Sequence, residues 1–228
     1  MEKNSTGILG LDRIIGGYPS GKCVLVTGSA GSGKTILALH FIQKSCSQGK
    51  KCAYVAIEET KEDLILQAAQ FGWDFTKYQE KGLLRIIPLL EDRMVEAKYQ
   101  FTFFGPETGF GGLLEIIEPD VEMAVIDNLG VLALDMPLSQ FRQQLDFLVY
   151  SLSKRKCTSL IISDETLMKD KKDVALYSVH GAIKLMKRDN PYTDSRERAI
   201  EIIKMRSMAV PIEYIVYEIG KTGINILS

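Results

Sequence analysis

Apolar runs of strand length recur along this chain at Val24–Thr27, Cys52–Ile57, Leu84–Leu89, Met123–Ile126 and Leu160–Ser163. Between several of them the apolar positions switch to helical spacing. Helices are predicted at Lys34–Gln48, closed by Gly49, at Glu62–Gln70, closed by Gly72, and at Leu138–Lys154, where Phe141, Leu145, Leu148, Val149 and Leu152 form one stripe. Continuous apolar strands alternating with helices predict an α/β fold whose mainly parallel sheet is covered on its faces. After about Gly181 the pattern becomes strand-like runs at Ala182–Met186, Ala199–Met205, Glu213–Tyr217 and Ile224–Leu227, parted by polar or glycine-containing turns. The end of the chain is therefore expected to extend the same sheet in antiparallel fashion. Glu91–Gly112 and Lys169–Asp173 fit neither period and are expected to be mobile surface segments.

With 228 residues, 46% of them hydrophobic, and no Pro/Ser-rich linker, the chain is read as a single domain spanning residues 1–228. Lys plus Arg number 28 against 29 Asp plus Glu, so the net charge of -1 gives no overall field that would draw the chain to nucleic acid or to an anionic membrane. Cys23, Cys46, Cys52 and Cys157 show no CxxC spacing and lie in or beside apolar segments. A reducing, cytoplasmic compartment is expected, and no zinc site. No stretch approaches the roughly 18 uninterrupted apolar residues of a membrane span, and the first six residues lack an apolar signal region.

One motif carries specific chemistry. Gly28-Ser29-Ala30-Gly31-Ser32-Gly33-Lys34-Thr35 lies between an apolar strand and a predicted helix. Such a loop needs glycines because its N–H groups must turn inward around phosphate oxygens. Ser29, Ala30, Gly31, Ser32, Gly33, Lys34, Thr35 and Ile36 are the candidate nucleotide-binding residues. Lys34 is placed to reach the outer phosphates, Thr35 to put its hydroxyl on magnesium, and the helix to aim its positive dipole end at the anion. The bland alternative is a glycine turn before a helix, yet at average residue usage the four-position pattern arises by chance in on the order of one chain in a hundred. A nucleoside triphosphate with Mg2+ is the ligand this loop implies.

A phosphate loop also requires a carboxylate at a nearby strand end to hold the metal through water. Asp127, after Met123-Ala124-Val125-Ile126 and before Asn128, fits that place, where open α/β sheets bind ligands. Glu58 and Glu59 directly follow another apolar strand. Because strand side chains alternate, only one of the two is expected to face the phosphates and to activate the attacking water, and periodicity does not choose between them. Helix capping is the plainer reading, since Thr60 and Asp63 form a Thr-x-x-Asp box. Lys204 and Arg206 are two apart on a predicted strand and share a face. They are either a solvated strand surface or a cationic pair that reaches the γ-phosphate of a neighbouring subunit.

Taken in order, Thr6-Gly7-Ile8-Leu9-Gly10-Leu11-Asp12, Gly16-Gly17, Pro19-Ser20-Gly21-Lys22, the phosphate loop, Glu58-Glu59, Ile126-Asp127-Asn128, Lys204-Met205-Arg206 and Tyr217–Ile224 resemble the KaiC-type ATPases of the RecA/RadA superfamily from about Ser5 to Ile226. The resemblance implies a RecA-like P-loop core and a homo-oligomer, a hexameric ring with ATP at the subunit interfaces. It further implies Glu58-Glu59 as catalytic carboxylates, Lys34 as catalytic lysine, and Lys204 and Arg206 acting across the interface. Departures limit it. Clock proteins of the family carry two such domains where this chain has one, so a circadian role does not follow. Their self-phosphorylated Ser-Thr pair aligns near Tyr177-Ser178, which leaves at most one matching hydroxyl. Ser207-Met208-Ala209-Val210 stands where relatives commonly have glycine after the Lys-x-Arg motif.

Three functions compete at this point. The first is a slow regulatory ATPase whose states bind a protein partner differently. The second is a DNA-acting recombination or repair relative, yet its candidate loops, Leu129–Gln140 and Phe101–Gly112, contain no Lys or Arg. The third is a scaffold that binds ATP without hydrolysing it. No Asn-Lys-x-Asp tetrad specifies guanine, consistent with ATP.

Overall fold

The computed structural model describes residues 2–89, 109–165, 170–190 and 195–227. Nine strands form one sheet: β3 (Cys23–Gly28), β4 (Cys52–Ala56), β5 (Leu84–Pro88), β6 (Met123–Asp127), β7 (Thr158–Asp164), β8 (Gly181–Asp189), β9 (Arg196–Met205), β10 (Ile215–Gly220) and β11 (Gly223–Ile226). Their order across it is β11-β10-β9-β8-β3-β7-β6-β4-β5. A separate two-stranded ribbon pairs β1 (Lys3–Asn4) with β2 (Tyr18–Pro19). Strands β5 through β8 in the spatial row β5-β4-β6-β7-β3-β8 all run parallel, and β9, β10 and β11 are added antiparallel. The expected antiparallel extension therefore begins one strand later than the sequence pattern placed it. β8 pairs parallel with β3, because hydrophobic periodicity marks a strand without marking its direction.

The central strands are apolar throughout because both sheet faces are covered. Val24, Val26, Tyr54, Ala56, Val125, Leu160 and Ile162 pack on one side with the helix α2 (Lys34–Ser47). Leu25, Ala53, Val55, Ala124, Ile126 and Ile161 pack on the other with the long helix Leu138–Lys154, whose Phe141, Leu145, Leu148 and Leu152 are buried. The helix at Lys61–Gln70 is capped by Thr60, which accepts from the Asp63 N–H at 3.1 Å, as the Thr-x-x-Asp box predicts.

Among the described residues, five short helices lie outside the sequence expectation: Leu9–Ile15, Phe75–Glu80, Gly111–Ile116, Leu129–Leu132 and Lys172–Ser178. Each is too short to display a repeating stripe. The segment Glu91–Gly112 lies outside the described residues except for its end, and that end is not a surface segment: Phe110 is buried and meets Phe141 edge-on. Lys169 is likewise outside the described residues, while Asp170 and Asp173 are exposed. The stretch Leu129–Gln140 is a loop only in part: Leu129–Leu132 is a short helix with Leu129 and Gly130 buried, and Ala133 is buried, whereas Leu134 and Leu138 are exposed.

The Ser-Thr-Gly-Ile-Leu-Gly-Leu-Asp opening has a structural explanation. The Asp12 carboxylate accepts from the Ser5 and Thr6 hydroxyls at 2.5 and 2.8 Å and from the Thr6 N–H at 2.8 Å. A Cβ on Gly10 would lie 2.6 Å from Ile226, so this glycine lets the first helix sit against β11. His40 on α2 completes the join: its Nε2 accepts from the Ile224 N–H at 2.8 Å, and its Nδ1 lies 3.2 Å from the Gly7 carbonyl. The opening motif and β11 are thereby both fastened to the helix that follows the phosphate loop.

Candidate functional site

Parallel strands bring their carboxyl ends to one edge, and the register fixes which residues meet there. Gly28 stands opposite Asp164 and Ala56 opposite Asp127. The phosphate loop leaves β3 at Gly28, where a Cβ would lie 2.1 Å from the Leu185 carbonyl, so only glycine fits against β8. Gly33, at φ 96°, turns the loop into α2. Tyr217 from β10 donates its hydroxyl to the Ser32 carbonyl and braces the loop from behind.

Lys34 donates to the carbonyls of Gly28 (3.0 Å) and Ser29 (3.1 Å) and to Asp164 Oδ2 (3.3 Å). Thr35 Oγ1 donates to Asp127 Oδ2 at 2.9 Å, and Tyr54 donates to the same oxygen at 2.7 Å. Burial raises the Asp127 carboxyl above its ordinary value, and these two hydrogen bonds oppose the rise. Burial, with the same carboxylate beside it, pushes the Tyr54 phenol well above its usual range, so Tyr54 remains a donor. Ser29, Ala30 and Gly31 are exposed, Ser32 is buried, and Ile36 packs on the α2-side core.

Glu58 and Glu59 both line one pocket with Lys34, Thr35, Tyr54, Asp127, Asn128 and Asp164. The expectation that only one would face the site does not hold. β4 ends at Ala56, so strand alternation no longer governs the two glutamates. Asn128 Nδ2 donates to Glu58 Oε2 at 3.1 Å, and Gln67 Nε2 to Glu59 Oε2 at 2.6 Å. Burial raises the Glu59 carboxyl above its ordinary value, with the Gln67 bond opposing. Asn128 also accepts from the N–H groups of Gly130 and Asp164 through Oδ1, at 3.0 and 3.2 Å, tying two strand ends together.

The residues present fit a magnesium nucleotide. The Thr35 hydroxyl and Asp127 carboxylate adjoin, a hard-oxygen pair of the kind Mg2+ takes alongside phosphates and water. The buried Ser32 hydroxyl has no hydrogen-bond partner among the described residues, within a loop whose neighbours would supply phosphate contacts. No cluster of three or more His, Cys, Asp or Glu able to hold a metal by itself occurs among the described residues.

Lys204 and Arg206 are elsewhere. β8 is parallel to β3 with Gly181 beside Val24, and β9 returns so that Met205 meets Gly181. The cationic pair therefore lies at the amino edge, four strand residues, or about 13 Å, below the level of Gly28. Lys204 donates to the Val179 carbonyl and Arg206 to the Tyr177 carbonyl, both at 2.7 Å. Burial, with Arg206 beside it, brings the Lys204 ammonium down to about 8. Ser178 Oγ is turned back to the Val174 carbonyl at 3.1 Å, and Tyr177 is exposed.

Sequence reasoning missed Tyr54, Gln67, Asp164 and Tyr217. Asp164 had a usable signal, an acid closing an apolar strand as Asp127 does.

Strand-loop-helix geometry at the carboxyl edge of a largely parallel sheet, with lysine, threonine and a strand-end aspartate converging, defines a P-loop nucleotide-binding protein. The family profile described as "ATPase: KaiC" matches residues 4–228, and the chain belongs to that family. It is 32% identical to a UPF0273 protein of Methanopyrus kandleri over 72% of this chain and 67% of that protein. It is 25% identical to the circadian clock oscillator protein KaiC of Prochlorococcus marinus over 99% of this chain and 46% of that one. The solved structure of a KaiC-like protein from Pyrococcus horikoshii superposes with a TM-score of 0.78 at 28% identity, covering 100% of this chain and 99% of that chain. The fold is RecA-like. Among the described residues no helix is long and apolar enough to cross a membrane.

Proposed function

We propose that the chain, as one RecA-type domain over residues 1–228, is a magnesium-dependent ATP hydrolase working slowly as a regulatory switch in a hexameric ring in the cytoplasm. The observation that carries the catalytic part is the convergence of Lys34, Thr35, Asp127, Glu58 and Glu59 on one pocket. The loop residues Ser29 to Ile36 hold the triphosphate, and Lys34 places its ammonium on the outer phosphates. Thr35 and Asp127 hold Mg2+, which when bound neutralises charge on the phosphate oxygens. Glu58, steadied by Asn128, and Glu59, steadied by Gln67, orient the attacking water and accept its proton.

Lys204 and Arg206 complete the site of the next subunit. Their place at the amino edge, too far to serve the loop of their own chain, supports action in trans. A head-to-tail contact joining one subunit's amino edge to another's carboxyl edge closes into a ring when its rotation permits.

The test is steady-state ATP hydrolysis by the purified chain, with Lys34→Ala as the blank, with and without single-stranded DNA. Slow, magnesium-dependent turnover that ignores DNA is expected. Several-fold stimulation by DNA would replace the regulatory reading with a recombination role, and no turnover above the blank would reduce the chain to a binding scaffold.

A further inference from the structure

The Lys34 ammonium has three N–H bonds, and each has a partner: the Gly28 carbonyl, the Ser29 carbonyl and Asp164 Oδ2. The two charged side chains are only 10% and 20% exposed, so their attraction is weakly screened. Asp164 is held in place by the register that sets it beside Gly28 and by its N–H, which donates to Asn128 Oδ1. For Lys34 to engage an outer phosphate, one of its three bonds must open. The two carbonyls belong to the loop that wraps the phosphate, whereas Asp164 is the partner that a phosphate oxygen replaces anion for anion. Once displaced, the Asp164 carboxylate faces the incoming anion across the same pocket. The extra charge of a terminal phosphate meets that carboxylate more strongly than a diphosphate does.

We propose that Asp164 is a positioning residue that holds the phosphate-loop lysine between turnovers and lowers the site's preference for nucleoside triphosphate over diphosphate. The consequence is a site that yields its occupant more readily, in keeping with a ring that must exchange nucleotide to change state. The inference rests on the ATP-site reading above.

It is tested by equilibrium binding of ADP and of the β,γ-imido analogue of ATP, both with magnesium, to the full chain and to its Asp164→Asn and Asp164→Ser variants. Both substitutions remove the charge and keep a polar side chain at the strand end. The triphosphate analogue should bind roughly three- to tenfold more tightly to each variant, and ADP about twofold or less, so their ratio shifts. A ratio equal to that of the unaltered chain, or weaker analogue binding in both variants, overturns the proposal. A merely structural role would move both nucleotides together. Absence of analogue binding to the unaltered chain, or binding indifferent to Lys34→Ala, overturns the ATP-site reading itself and this inference with it.

Discussion

The two edges of the sheet treat charge in opposite ways. At the carboxyl edge every ionic side chain named has a partner within the chain: Lys34 with Asp164, Asp127 with Thr35 and Tyr54, Glu58 with Asn128, Glu59 with Gln67. At the amino edge Lys204 and Arg206 hold only carbonyl oxygens, and neither has a carboxylate partner among the described residues. The first edge compensates its charges within a single chain. The amino edge thus holds two cations with no carboxylate partner among the described residues, and burial, with Arg206 beside it, lowers the Lys204 ammonium to about 8.

The largest effect that would sharpen this contrast is at the carboxyl edge. Replacing Glu58 and Glu59 together by Gln should lower ATP turnover on the order of a hundredfold or more while nucleotide binding survives. Turnover close to that of the unaltered chain would remove both residues from the chemistry.

Stability offers the next. His40 is buried and its imidazole is lowered from 6.5 to about 4, chiefly by desolvation. Above pH 6.5 it is neutral folded or unfolded and adds no pH dependence. As the pH falls from 6.5 towards 4 the unfolded chain takes up a proton that the folded chain refuses. Folding should therefore lose about 3 kcal/mol across that window, and no more from this group below it. Denaturant titrations should show this component in the unaltered chain and not in His40→Gln; identical pH profiles would mean that the histidine is not held neutral. Phosphate-site organisation depends on this residue only indirectly, through α2.

The smallest is at Tyr54. Removing its hydroxyl in Tyr54→Phe takes one of the two opposing bonds from Asp127 and leaves burial less countered. The magnesium concentration for half-maximal turnover should rise roughly tenfold, in line with a bond to a charged group worth about 1.5 kcal/mol. An unchanged magnesium dependence would show that Thr35 alone sets Asp127.

Much of the carboxyl edge was legible in the sequence because its demands are local. A phosphate loop must be written contiguously, so Gly28 to Thr35 announces itself, and Asp127 and Glu58-Glu59 each close an apolar strand. Tyr54 and Asp164 were not legible as site residues, because their roles arise only when the sheet order sets β4 beside β6 and β3 beside β7. The direction of β8 was misread for a related reason: an apolar run records burial and not orientation. The opening motif was read as a family marker, and only the structure shows it to be a hydrogen-bonded turn around Asp12 that docks on β11. The expectation that Lys204 and Arg206 share a strand face does not carry over, because β9 ends at Met205 and Arg206 lies in the turn beyond it, and their distance from their own phosphate loop depends on the register of β8 and β9.

The central claim is that each hydrolytic site is shared between two copies of the chain. ATP turnover should be measured for Lys34→Ala alone, Arg206→Ala alone, and an equimolar mixture allowed to exchange subunits, with the unaltered chain in the same assay. Each variant alone should be nearly inactive, and the mixture should regain a substantial fraction of normal turnover, because some interfaces then join an intact loop to an intact arginine. A mixture no more active than its components, beside an active unaltered chain, would contradict the shared site.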